Sequence, residues 1–192
     1  MNRVRSLAIV AWAAVLLAGE ASANDIGQAE TLAPATLSTA DGQMLSTDGL
    51  ARQAPLSVFV FLSDSCPCFA AHRAALRELA SRFGRAGVQF FLVDAERHPK
   101  GFQQESPDPG TGWPILVDAR GAFARAVNAG FATFSLIVAP SGSILYRGAI
   151  DSARKDVTPA TRPFLRAAIE AALAGKVPVP ASTKALGCVL RF

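Results

Sequence analysis

The chain alternates between short, continuously apolar runs and longer stretches in which apolar residues recur at helical spacing. Val58 to Leu62 is apolar at every position, so the strand expected at 57–62 is covered on both faces, as a central strand must be. Behind it, Phe69, Leu76, Leu79, Ala80 and Phe83 fall on one stripe, which predicts a helix over 67–83 with that face on a sheet. Pro67 suits its first turn, Ser65 or Cys66 its cap, and Gly84 and Gly87 its end. A second apolar strand follows at 88–93, then a Pro-, Gly- and Gln-rich loop from Glu96 to Gly112 with room for one helical turn. Further strands are expected at 113–117, 135–139 and 143–150, a short helix at 120–128 and a closing helix at 158–174 stopped by Gly175. Upstream, Asp41-Gly42 between semi-apolar segments signals a hairpin across 36–46. The order β-α-β, then β-α-β-β-α, implies one α/β domain: a mixed sheet of about five strands with helices on both faces.

The two ends read differently. Arg3 and Arg5, an apolar stretch from Leu7 to Gly19 and the small residues Ala21-Ser22-Ala23 form the pattern of a cleaved export signal over residues 1–23. The apolar stretch is shorter than the roughly 20 residues a membrane span needs. A periplasmic location follows as the expectation. Asn24 to Pro34 reads as a flexible lead-in, 35–175 as the domain, and 176–192 as a Pro-rich tail carrying Cys188. Removing the signal takes two arginines and one glutamate from a chain of net charge +4. The remaining basic residues are scattered, which argues against a nucleic-acid footprint.

Three cysteines in an exported chain are too few for a disulfide scaffold, and their odd number leaves at least one unpaired in a monomer. Cys66-Pro67-Cys68 sits where a buried strand hands over to a helix. A thiol there faces unsatisfied N–H groups and the positive end of the helix dipole, which favours the thiolate. Cys68 reads equally as a partner of Cys66 across Pro67 or as an inward packing residue. Cys66 and Cys68 can bond only if Cys66 stays outside the helix. His72, one turn after Cys68, reads as a surface or capping histidine, with a Cys–His pair for Cu(I) or zinc as the other reading. His98 reads as a solvated loop residue.

The element order and four segments resemble the thioredoxin superfamily, in its redoxin branch related to peroxiredoxins. These are Phe61-Leu62-Ser63-Asp64-Ser65-Cys66-Pro67, Trp113-Pro114-Ile115-Leu116-Val117-Asp118, the stretch Pro140 to Asp151, and Thr183-Lys184-Ala185-Leu186-Gly187-Cys188. The resemblance implies a thioredoxin-like fold and a thiol–disulfide oxidoreductase with Cys66 as attacking thiol and Cys188 or Cys68 as resolving thiol. Cys188 reads either as a thiol that folds back onto Cys66, with Val189, Leu190 and Phe192 giving the tail apolar residues to bury, or as an exposed thiol without a role. The implied partners are a protein disulfide or a hydroperoxide as substrate and an upstream thiol donor, such as a membrane-linked reductase. No organic cofactor is implied. Two departures stand out. Thr133 occupies the position where such reductases carry a cis-proline. Phe59 and Ser63 stand where thiol peroxidases carry proline and threonine, which weakens a peroxidase reading. A copper chaperone of the Sco type, with Cys66, Cys68 and a histidine as ligands, is the alternative outside redox enzymes. Its family separates the two cysteines by three residues, against one here.

Overall fold

The computed structural model describes residues 30–96, 98 and 105–192. The export signal and residues 24–29 of the lead-in lie outside them. The elements run β1 (Thr36–Ser38), β2 (Met44–Ser46), α1 (Thr47–Arg52), β3 (Ser57–Leu62), α2 (Pro67–Phe83), β4 (Gln89–Asp94), β5 (Ile115–Val117), α3 (Ala122–Ala126), β6 (Phe134–Val138), β7 (Ile144–Ala149) and α4 (Phe164–Leu173). One sheet holds them in the order β2-β1-β5-β4-β3-β6-β7. β3 is parallel to β4 and antiparallel to β6, so the sheet is mixed as expected.

It has seven strands rather than five. The additional pair is the 36–46 hairpin, which reaches the sheet through Ser38 opposite Val117. Three-residue strands carry too little periodicity to be counted from sequence. α1 was not expected either: it is brief and contains Gly49, and the Ser46 hydroxyl caps it by accepting from the Gly49 N–H. α4 starts at Phe164, six residues later than its pattern predicts, because Pro163 keeps Arg162 out of helical geometry. Residues 30–32 of the lead-in make contacts with the domain. Leu32 is buried, its N–H donates to Gly142 O, and Glu30 O accepts from Ile144 N–H.

β3 is buried at all six positions and anchors the core. Its Phe59 and Phe61 rings pack against Phe123 of α3 at 5.6 and 5.5 Å, with Phe91 and Phe134 completing the aromatic cluster. Asp118 holds α3 in place by accepting from the Ala124 N–H. The C-terminal ends of β3 and β4 therefore arrive side by side, Leu62 opposite Asp94, at the turn that leads to the cysteines.

Candidate active site

Leu62 ends β3, and a tight turn closes with Cys66 N–H donating to Ser63 O. Pro67 is the first helical residue, which holds Cys66 in extended geometry at φ −87° and ψ 112° just outside α2. The Cys66 carbonyl already accepts the first helical bond, from Ala70 N–H. Its side chain caps nothing; it is bonded to Cys188, with the two Cα atoms 5.8 Å apart. Cys66 is the N-cap residue, so its sulfur is placed at the positive end of a helix of 17 residues.

Cys68 is buried and unbonded, and all three sulfur atoms lie within 4.8 Å of one another. The structure thus brings together the three cysteines singled out in the sequence. Cys66 does stay outside the helix, yet its partner here comes from the tail rather than from across Pro67. Three sulfur atoms this close are the soft donors that a monovalent copper ion takes, but two of them are tied up in the Cys66–Cys188 bond. No histidine or carboxylate among the described residues joins that cluster.

His72 is not at the surface. It is 1% exposed, with Nδ1 2.6 Å from Cys68 O and Nε2 3.1 Å from Asp151 Oδ1. Burial pulls its pKa down, but the Asp151 carboxylate and the Cys68 carbonyl outweigh that, and the net shift is upward. Asp151 also accepts from Ala153 N–H, so the pair ties the first turns of α2 to the segment after β7. His98 is not simply solvated: its Nε2 is 2.6 Å from Asp94 Oδ2. Burial raises the Asp94 pKa despite the Glu96 N–H and His98 beside it.

The tail makes a continuous path to Cys66. Ala181 to Thr183 runs beside β7, Arg147 N–H donating to Ala181 O and Thr183 N–H to Arg147 O. Thr183 Oγ1 accepts from Ala149 N–H at 2.9 Å and lies 2.6 Å from the Tyr146 hydroxyl. Tyr146 Oη also donates to Ala149 O, and burial lifts its pKa to about 12. Beyond Leu186 the tail crosses to Gly130–Thr133. Ala132 N–H donates to Cys188 O at 2.9 Å, Leu190 N–H donates to Gly130 O at 3.1 Å, and Phe131 faces Val189 in antiparallel register. Phe192 ends the chain under the Arg125 guanidinium.

Thr133 stands in the position noted for its missing proline, in left-handed backbone geometry at φ +76°. Its N–H donates to Phe61 O at 2.8 Å and its hydroxyl to Leu186 O. Between tail and turn lies an open cleft of about 530 Å³ lined by Ser63, Ser65, Glu96, Cys188, Val189 and Arg191. The sequence reading missed Asp151, Tyr146 and Thr183 as site-supporting residues. Their roles rest on contacts across 79 and 37 residues, which no local pattern encodes. Gly187 was visible only as the neighbour of Cys188.

Residues 28–161 match the family model described as Redoxin. A curated relative, the "Thiol:disulfide interchange protein DsbE homolog" of Paracoccus denitrificans (strain Pd 1222), is 32% identical over 133 residues, covering 69% of this chain and 72% of the relative. Among solved structures, an uncharacterized conserved protein from Geobacillus kaustophilus superposes with a TM-score of 0.73 at 25% identity, over 85% of this chain and 91% of that one. A hypothetical protein from Sinorhizobium meliloti 1021 gives 0.74 at 24% identity, over 88% and 96%, a likeness of fold. With its mixed sheet, its cysteine at the N-cap position of α2 and a match over most of its length, the chain belongs to the redoxin family.

Proposed function

We propose that this redoxin is an exported thiol–disulfide oxidoreductase in which Cys66 attacks and Cys188 resolves. The observation that carries the reading is the Cys66–Cys188 bond at the N-terminus of α2, with one partner on the β3–α2 turn and the other on the C-terminal tail. In the reduced protein the Cys66 thiolate attacks one sulfur of a substrate disulfide. A mixed disulfide forms, and the displaced substrate sulfur leaves as a thiolate that takes up a proton. The Cys188 thiolate then attacks the Cys66 sulfur, releases the second substrate thiol and closes the intramolecular bond. Two electrons pass to the substrate, and an upstream thiol donor returns two by the reverse exchange. Cys68, within 4.8 Å of both sulfurs, is the alternative resolving thiol.

A polypeptide disulfide suits the site better than a hydroperoxide. Phe59, where peroxidases carry proline, is locked into the aromatic core and presents nothing to the cleft. The test is a single turnover of a chromogenic aromatic disulfide by the reduced protein after the reductant has been removed. Cys66→Ser is expected to abolish the fast release, while Cys188→Ser accumulates the mixed disulfide at Cys66. Unchanged turnover by Cys66→Ser refutes the assignment.

A further inference from the structure

The tail carries more information than the position of a resolving thiol. A polypeptide cysteine can form its mixed disulfide with Cys66 from the place the Cys188 sulfur now holds. Its flanking backbone then runs along the same Gly130–Thr133 edge. The bonds that edge makes to the tail are to main chain: Ala132 N–H to Cys188 O and Gly130 O from Leu190 N–H. A foreign strand can therefore make them equally well.

What the edge rejects is equally defined. A Cβ built on Gly187 falls 1.9 Å from Ala132 O and 2.9 Å from Ala132 C. Both are backbone atoms of a fully buried residue, and the next peptide N–H is tied to Phe61 O, so neither can retreat. One position past the cysteine, the Val189 side chain is 64% exposed; two past it, Leu190 is buried in the core cluster.

Building on the disulfide-exchange reading above, we infer that the substrate is an extended polypeptide segment of the form Gly-Cys-X-apolar, and that residues 187–190 are its built-in imprint. Glycine is required before the cysteine because only it clears the Ala132 carbonyl. An apolar residue is required two positions later because the Leu190 site is buried in the core cluster. A small-molecule disulfide offers the sulfur but neither the backbone pairing nor the buried side chain.

The experiment uses the full chain carrying Cys188→Ser, whose tail competes equally with every peptide. Peptides of sequence Lys-Ala-Leu-Gly-Cys-Val-Leu-Arg-Phe carry a thionitrobenzoate leaving group on the cysteine, and its release reports attack by Cys66. Three variants replace the glycine by alanine, the valine by lysine, or the leucine by lysine. Each rate is divided by that peptide's rate with dithiothreitol. The glycine and leucine replacements are each expected to slow release at least about tenfold, as a backbone clash or a buried charge demands, and the valine replacement about twofold or less. If either the glycine or the leucine replacement slows release less than that, or the valine replacement slows it as much, the inference is overturned. The same ranking is read from the first turnover of the reduced wild-type chain, so the conclusion does not hang on one variant's folding. If no peptide reacts while a small aromatic disulfide does, the imprint fails and the exchange reading stands. If neither reacts, the exchange reading itself fails.

Discussion

Reducing the Cys66–Cys188 bond is the perturbation whose size the structure fixes best. The bond spans 122 residues of sequence. Closing a loop of that length in the unfolded chain costs about 5 kcal/mol of configurational free energy in the chain-entropy treatment. The disulfide stabilises the fold by this full amount only if the native state already holds Cys188 against Cys66 once the bond is gone. The structure supplies that hold. Thr183 is fixed by Ala149 N–H and the Tyr146 hydroxyl, the 181–183 backbone pairs with Arg147, and Leu190 is buried. Reduction is therefore expected to cost about 5 kcal/mol, which for a domain of this size lowers Tm by roughly 10–20 °C. Urea and thermal unfolding, followed by the fluorescence of buried Trp113 with and without dithiothreitol, give the difference directly. Cys188→Ser should match the reduced protein and ignore the reductant. If reduction costs less than about 1 kcal/mol, the native tail brings the thiols together no better than a random chain would, and the argument for a preorganised tail fails.

Three further outcomes follow from buried polar contacts. His72→Ala leaves Asp151 buried without its counter-charge and should destabilise by about 3–5 kcal/mol in urea unfolding. Because the His72 pKa is raised on folding, its contribution is complete below the ordinary value of 6.5 and declines as pH rises through the raised one. A urea midpoint series upward from pH 6 should show that decline in wild type and lack it in His72→Ala. Thr183→Val removes the hydroxyl shared by Tyr146 and Ala149 N–H; a loss of about 1–3 kcal/mol and faster tryptic cleavage after Lys184 in the reduced protein are expected. Thr133→Pro should not restore a typical reductase site but destabilise by on the order of 3 kcal/mol, seen as a lower Tm, because proline takes neither φ +76° nor the bond to Phe61 O.

What the sequence disclosed follows the range of each signal. β3 and α2 fall on the residues expected, since a run apolar on both faces and a 17-residue amphipathic stripe leave no competing solution. The turn between them was equally legible, because Pro67 constrains Cys66 locally. The edge hairpin was visible as a hairpin but not as part of the sheet, since one bridge, Ser38 to Val117, makes it so. His72 was misplaced for a reason of the same kind. A histidine on the buried side of a helix is costly until it has a partner, and Asp151 lies 79 residues away. Leu190 and Phe192 hinted that the tail folds back, but its path depends on the contacts of Thr183 with Tyr146 and Ala149 and on the Gly130–Thr133 edge, pairings across the chain that no local pattern encodes.

The backbone geometry of Thr133 and the docking of the tail belong to one arrangement. With its own N–H turned inward to Phe61 O, Thr133 takes left-handed geometry, a conformation that costs a β-branched residue on the order of 1–3 kcal/mol unless its surroundings enforce it. Those surroundings include the tail: the Thr133 hydroxyl reaches Leu186 O, and the neighbouring Ala132 N–H points at Cys188 O. The platform that would meet a partner's backbone is thus held in shape partly by a strand of the same chain. A peptide of the inferred form replaces the Ala132 and Gly130 bonds of that strand with its own main chain. The barrier lies in releasing residues 187–192 while their upstream segment stays clamped at Thr183. Reduction of Cys66–Cys188 removes the one covalent link holding those residues down, which couples access to the groove to the redox state of the thiol that acts there.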